Sequence, residues 1–308
     1  MSTTPLSVAC IGLGRIGTGI AQRIQAAGFR VIVYNRTPQK MQLLIASGAI
    51  AAGSPREAAA AADVVITCLM DDSSVLNSVV GEDGILRGMR PGAIHIGTST
   101  ISPNASAQLA GLHAAHGSHY VAGPIAGRPD AAAAGKLITF LAGEPEAIER
   151  CRAVIEAYAA KIILLGPDPK SAPSLKLVVN FFAGSLLELM GQALVFAEKR
   201  GLDAEKVSGM LAELLKHPAM PVYLDKIRSR NFDDGVGFTL DGGLKDIGLI
   251  LDAAAEVQVP LPYASIVRDK MIAAQAHGMS QRDWSAFTEM TRLSAGQALM
   301  AKVRPAGS

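Results

Sequence analysis

The sequence predicts an α/β fold. A doubly wound, mostly parallel sheet domain over residues 1–166 is followed by an all-α domain over 167–308, with a long helix at about 171–200 between them. Three observations carry this. A glycine-rich turn separates a short apolar run from a helix pattern near the start of the chain. Strand-like and helix-like segments then alternate as far as residue 165, the order of a parallel sheet with helices on both faces. Beyond residue 201 the apolar spacing is helical and no strand signal is obvious.

The first element is the apolar run 6–11, which ends in Gly12-Leu13-Gly14-Arg15-Ile16-Gly17. A helix pattern follows to residue 27, Gly28 closes it, and a second strand covers 30–34. This strand–turn–helix–strand context separates a GxGxxG motif from coincidence. Gly12 permits the tight turn, Gly14 lets the backbone approach a pyrophosphate, and Gly17 lets helix and strand pack closely. The helix start offers free N–H groups and a positive dipole end to phosphates. Gly12, Leu13, Gly14, Arg15, Ile16 and Gly17 are therefore read as the cofactor-binding turn of a Rossmann domain. At the end of the second strand, where an NAD site places an acid on the ribose 2′-hydroxyl, the chain has Asn35-Arg36-Thr37. The Arg36 fork can pair with a 2′-phosphate, and Asn35 and Thr37 can add neutral hydrogen bonds, so NADP(H) is the expected cofactor.

The alternation continues with helices at 41–47 and 53–62 and a buried strand at 63–69. Leu69 and Met70 lie at its C-terminal end, where open α/β sheets bind ligands. A helix at 75–80 precedes a strand at 93–97, after which Thr98, Ser99 and Thr100 fall at another strand end. A helix at 103–116, strands at 120–122 and 137–142, a helix at 146–158 and a strand at 161–165 complete the domain. Helices are expected at 204–215, 221–229, 244–256, 261–276 and 284–299.

The long helix opens at Ser171 or Ser174, with Pro173 in its first turn and Gly201 just past its end. It spans about 45 Å at about 1.5 Å per residue. Apolar residues surround it, which predicts burial on most sides. Lys176 and Asn180 interrupt its first turns at i, i+4 spacing and share one face. An ammonium among apolar neighbours is costly unless something uses it. On its own it reads equally as a lysine snorkelling to solvent.

Bulk properties exclude other classes. With 49% hydrophobic and 18% charged residues among 308, the chain is globular and long enough for two cores. A net charge of +2 without a run of like charges gives no basis for nucleic-acid binding. Three dispersed cysteines read as reduced, favouring the cytoplasm, and the start, which lacks a charged segment before its apolar run, reads as a poor signal peptide. No membrane span is expected, because Lys176, Glu188 and Glu198 interrupt the apolar helix. His113, His116 and His119 fall in a loop-like stretch without cysteine or acidic partners, so no metal site is expected.

Four segments together resemble the β-hydroxyacid dehydrogenase family, which includes 3-hydroxyisobutyrate dehydrogenase and glyoxylate or succinic semialdehyde reductases. They are the glycine-rich segment through Thr37, Ser99-Thr100-Ile101-Ser102-Pro103, Ala122-Gly123-Pro124-Ile125-Ala126-Gly127, and Lys176-Leu177-Val178-Val179-Asn180, with Phe238 and Lys245-Asp246 further on. The resemblance implies hydride transfer with Lys176 as general acid/base and Asn180 beside it. It places Thr100 and Lys245 at the cofactor, and Ser99, Gly123, Ala126, Gly127, Phe238 and Asp246 around a small carbonyl or hydroxy-acid substrate. A site between the domains and a homodimer are expected. The third segment departs from the family's Asp-Ala-Pro-Val-Ser-Gly-Gly. Ala122 replaces the aspartate, Ala126 the serine and Arg128 the second glycine. Arg128 could pair with a carboxylate or be a solvated loop residue. Two rival functions are an imine reductase, against which Lys176 argues because those relatives generally carry Asp or Tyr there, and a non-catalytic dinucleotide-binding scaffold.

Overall fold

A computed structural model describes residues 6–299. The chain runs β1 (Ser7–Ile11), α1 (Arg15–Ala26), β2 (Arg30–Tyr34), a 3-10 turn at Pro38–Met41, α2 (Gln42–Ala46), β3 (Ile50–Ala51), α3 (Pro55–Ala60), β4 (Val64–Thr67), α4 (Asp72–Val80), α5 (Ile85–Gly88) and β5 (Ile94–Gly97). Then come α6 (Pro103–His116), β6 (His119–Ala122), β7 (Ile125–Ala126), α7 (Pro129–Ala133), β8 (Leu137–Leu141), α8 (Pro145–Glu156) and β9 (Ala159–Leu164). The rest is helical: α9 (Ser171–Lys199), α10 (Ala204–Lys216), α11 (Ala219–Ser229), α12 (Leu240–Glu256), α13 (Pro262–Ala276), a 3-10 turn at Trp284–Thr288, and α14 (Glu289–Ser294).

Six strands form one sheet in the order β3-β2-β1-β4-β5-β6, and every pairing is parallel. The order reverses between β1 and β4, the place where such sheets open a crevice at their carboxyl ends. All five residues of β1 are buried, as in a strand covered on both faces. Side chains such as Val8, Cys10 and Ile66 pack on one face with Ile20 and Ile24 of α1 and with α8. Ala9, Ile11 and Val65 pack on the other with α3, α4 and α6. Ser54 caps α3 and Ser102 caps α6, each hydroxyl accepting an otherwise unpaired first-turn N–H. A smaller sheet, β7-β8-β9, pairs β7 with β8 antiparallel and β8 with β9 parallel.

The described chain divides into two compact units between Phe182 and Ala183, inside α9. The first turns of α9 belong to the first unit because Ala172, Leu175 and Val179 pack on the α6 side of its core. The second unit has its own core around Phe232, Leu240, Met271, Ala274 and Met290.

The fold class is as the sequence predicts, with local differences. The elements β3, α5, β7 and α7 are two to five residues long, too short to show a period. The helix expected at 284–299 is instead a 3-10 turn followed by α14, which ends at Ser294 before Gly296 at φ +74°. His113 and His116 lie in α6 and His119 opens β6, so this stretch is not a loop. No metal-ligand cluster occurs among the described residues. The expected burial of α9 is also corrected: Val178, Phe181, Phe182 and Leu187 are 61–76% exposed. By length and composition alone α9 is apolar enough to cross a membrane, because its charges are spread too widely to interrupt an 18-residue window.

Candidate active site

The glycine-rich turn leaves β1 and enters α1 at the switch point. Gly12 sits at φ +95°, a region side chains rarely adopt, and a Cβ there would run into the carbonyl oxygen of Cys68. A Cβ on Gly17 would strike the Gly12 carbonyl oxygen, so these two glycines seal the turn against itself and against β4. Gly14 differs: a Cβ there would meet no protein atom within 4 Å. The space in front of it is open to a ligand. Gly14 is also the N-cap of α1, which has no side-chain cap and no acid in its first turn. An open helix start with unpaired N–H groups fits a dinucleotide pyrophosphate.

Beyond the turn, a cleft of about 620 Å³ runs over the ends of β1, β2 and β4. Gly12, Gly14, Asn35, Arg36, Thr37, Lys40, Leu69 and Met70 line it. Asn35 has a second task there. Its Oδ1 accepts the Leu13 N–H at 2.9 Å and its Nδ2 donates to the Thr37 carbonyl at 3.0 Å, tying the end of β2 to the turn. Asp71 on the rim caps α4: hydrogen bonds from the Ser74 hydroxyl and from the Ser74 N–H, the latter at 2.7 Å, hold its carboxyl below the usual range.

On the other side of the turn lies a cleft of about 770 Å³. Its walls are Gly14, Arg15, Ile16 and Gly17, then Cys68, Leu69 and Met70, then Thr98, Ser99 and Thr100, then Ile125, Gly127, Arg128 and Pro129, and Lys176. Lys176 is 9% exposed, and burial pushes its ammonium below the usual lysine range. Ser99 is buried; its Oγ accepts the Leu69 N–H at 2.8 Å, bracing the loop after β4. Thr98 Oγ1 donates to the Thr67 carbonyl at 2.7 Å. The cleft wall thus carries three cationic side chains, Arg15, Arg128 and Lys176, and no carboxylate.

Several expected residues stand elsewhere. Gly123 is buried, donates its N–H to the Gly97 carbonyl at 2.9 Å and accepts from Thr139 Oγ1 at 3.2 Å, so its backbone is already engaged. Ala126, in β7, is paired with Ile138. Asn180, one turn beyond Lys176, is exposed. Phe238, Lys245 and Asp246 belong to the second unit. There Phe238 meets Trp284 edge-on at 5.6 Å, and Lys245 pairs with Asp246 at 2.7 Å. The clefts also take in Lys40, Cys68, Ile125 and Pro129, which sequence reasoning did not single out. Lys40 lies one turn after Arg36 in a basic-polar stretch, a signal that was present; the others follow only from the three-dimensional path.

Residues 7–166 match the NAD binding domain of 6-phosphogluconate dehydrogenase, and residues 171–291 match the NAD-binding region of NADP-dependent 3-hydroxyisobutyrate dehydrogenase. The chain belongs to the β-hydroxyacid dehydrogenase family. As a member of that family it is an NAD(P)-dependent oxidoreductase. It is similar to an uncharacterized oxidoreductase of Bacillus subtilis, 37% identical over 92% of this chain and 98% of that one. It is 30% identical to the 3-sulfolactaldehyde reductase of Escherichia coli, over 97% of this chain and 99% of that one. The structure of an imine reductase from Myxococcus stipitatus in complex with NADP+ superposes with a TM-score of 0.83 at 22% identity, covering 93% of this chain and all of that one. That likeness establishes the shared fold of the family.

Proposed function

We propose that this β-hydroxyacid dehydrogenase uses NADP(H) to reduce a small aldehyde acid, or in reverse to oxidise a 3-hydroxy acid, with Lys176 as general acid/base. The observation that carries this reading is the buried Lys176 on the wall of the same cleft as the open start of α1. Dihydronicotinamide, when bound, supplies a hydride to the carbonyl carbon. Oxygen then gains negative charge, and the Lys176 ammonium donates it a proton and is left neutral, to be reprotonated from solvent. In reverse the amine, whose neutral form burial favours, accepts the hydroxyl proton. Asn180 would donate its amide N–H to the substrate. Ser99, Thr100 and Gly127 would shape the seat.

The preference for NADP(H) rests on Arg36, with Lys40 beside it in the adenosine-side cleft, and on the lack of an acid in Asn35-Arg36-Thr37. The Escherichia coli relative is named for a small anionic aldehyde, which agrees with a cation-lined cleft. A homodimer is part of the proposal. The exposed apolar residues of α9 are what a second copy would cover, and sedimentation at twice the 32.0 kDa chain mass is the expected result. Such a protein would work in the cytoplasm, with its three thiols free.

The test follows NADPH oxidation over a panel of aldehyde acids, neutral aldehydes and cyclic imines. Aldehyde acids are expected to turn over, and Lys176→Ala to abolish most of that turnover. Full turnover by Lys176→Ala would refute the proton-transfer role, and turnover of imines alone would replace carbonyl chemistry with imine reduction.

A further inference from the structure

Four residues line both clefts, where a dinucleotide would cross from one to the other: Gly14, Cys68, Leu69 and Met70. Three of them present little to it. Gly14 has no side chain, Cys68 is half-buried, and Leu69 turns back so that its Cδ2 would lie 2.7 Å from a Cβ on Gly12. Met70 is the exception and is 86% exposed. We propose that Met70 is an oxidation site, at which a peroxide converts the thioether to a sulfoxide and so weakens dinucleotide binding. The inference rests on the dinucleotide lying in these clefts and is independent of which carbonyl compound is reduced.

The backbone holds Met70 at the crossing. On one side the Leu69 N–H donates to Ser99 Oγ at 2.8 Å. On the other, Asp71 caps α4, and Asp72 accepts the Ser102 N–H at 2.8 Å and the Ser102 hydroxyl at 2.5 Å. The loops after β4 and β5 are thereby tied together, and the thioether projects from the tied pair. Other sulfurs of the first unit are shielded. Met41 and Met89 are buried. Cys10 and Cys151 are buried as well, and burial pushes their thiols and that of Cys68 up, away from the thiolate that reacts with peroxide. Among the described residues of this unit, Met70 is the one sulfur-bearing side chain that is exposed.

A thioether reacts without losing a proton. Its lone pair attacks one oxygen of hydrogen peroxide, and the S–O bond forms as the O–O bond breaks. The hydroxide released takes the proton from the oxygen now on sulfur and leaves as water. Sulfur gives up two electrons and the peroxide gains them. The product is polar and chiral where a flexible apolar group stood. Its oxygen carries partial negative charge beside Gly14, where the start of α1 would receive the pyrophosphate. Repulsion, and the cost of stripping water from the sulfoxide, both oppose binding. The contact also works in reverse, because a bound dinucleotide covers the sulfur.

The experiment treats the full chain with hydrogen peroxide, with and without the oxidised dinucleotide, NADP+ or NAD+, whichever binds more tightly. Peptide mass mapping follows the gain of one oxygen at each methionine, and calorimetry gives dinucleotide affinity before and after treatment. Met70 should oxidise faster than Met41 and Met89, with the exposed Met210 of the second unit as the reference for an open site. Dinucleotide at about ten times its Kd should slow Met70 up to about tenfold and leave Met210 unchanged. Treated protein should bind dinucleotide about 3- to 10-fold more weakly, the worth of one lost thioether contact. A methionine sulfoxide reductase should restore the affinity, and treated Met70→Leu should match its own untreated value. Oxidation of Met70 with no loss of affinity, dinucleotide that binds without slowing that oxidation, or the same loss in Met70→Leu would each overturn the assignment. Absence of dinucleotide binding by untreated protein would remove the cofactor reading and the oxidation site with it. If Met70 behaves as expected while no aldehyde is reduced, the oxidation site stands and the reductase reading falls.

Discussion

Acidification should loosen the first unit through a buried histidine chain. On the α6 face of the sheet, Thr67 Oγ1 and His95 Nε2 are 2.9 Å apart, and His95 Nδ1 and His113 Nε2 are 2.9 Å apart. His113 Nδ1 and Ser118 Oγ are also 2.9 Å apart, and His116 Nδ1 approaches the same hydroxyl at 3.2 Å. Tyr120 stacks on His113, and His119 pairs with Glu144 at the surface. The three links can be satisfied by two neutral imidazoles, the form that burial favours. Burial, with smaller contributions from His116 and His119, lowers His113 from 6.5 to about 4; burial and His113 push His95 well below the usual histidine range. With the folded value depressed, the unfolded chain binds more protons between about 4 and 6.5, so stability is full above 6.5 and declines as pH falls through that window. For His113 alone the loss is about 3 kcal/mol, at ~1.4 kcal/mol per tenfold change in proton affinity, and His95 adds with the same sign. Urea unfolding by far-UV circular dichroism from pH 4 to 8 should show this slope, and His113→Gln should flatten it. Imidazole NMR should find His113 neutral down to about pH 4. Titration near 6.5, or an unchanged slope in His113→Gln, would refute the reasoning.

Four further outcomes follow from the site. Lys176→Ala should lower aldehyde reduction by about 10²- to 10⁴-fold, the usual worth of a positioned acid. In wild type, kcat for reduction should fall as pH rises through the depressed Lys176 value, below the ordinary lysine range. Arg36→Asp should shift kcat/KM from NADPH toward NADH by at least about tenfold, because a carboxylate repels the 2′-phosphate that a guanidinium pairs with; an unchanged ratio would remove Arg36 from the cofactor site. Gly17→Ala should weaken NADPH binding, followed by fluorescence titration, and cost about 1–3 kcal/mol of stability, because its methyl group meets the Gly12 carbonyl and neither backbone can yield cheaply.

The sheet was legible because its strands are apolar runs bounded by glycine and polar turns, and the Gly12–Gly17 spacing has few other structural meanings. Lys176 was legible as a charge out of place, and the cleft wall supplies its setting. What escaped was set by distance in space. The α7 turn is too short to register as a helix, yet it carries Arg128 to the cleft. The helix at 103–116 was legible, but its histidines at 113 and 116, with His119, read as solvated, because nothing local shows that α6 buries His113 against His95, 18 residues earlier. The apolar circumference of α9 predicted burial, but periodicity reports that a surface wants cover and not which molecule provides it.

The Asn35 tie between β2 and the glycine-rich turn bears on how cofactor choice can change over time. The residue beside Arg36, the side chain proposed to pair with a 2′-phosphate, is also the acceptor for the Leu13 N–H. Most replacements at position 35 would therefore slacken the loop at the moment they alter selectivity. Asn35→Asp is the exception: it keeps the acceptor oxygen and sacrifices only the donation to Thr37. A route from one nicotinamide dinucleotide to the other thus lies open through a single amide-to-acid exchange, the kind of change that deamidation chemistry and one nucleotide substitution both reach.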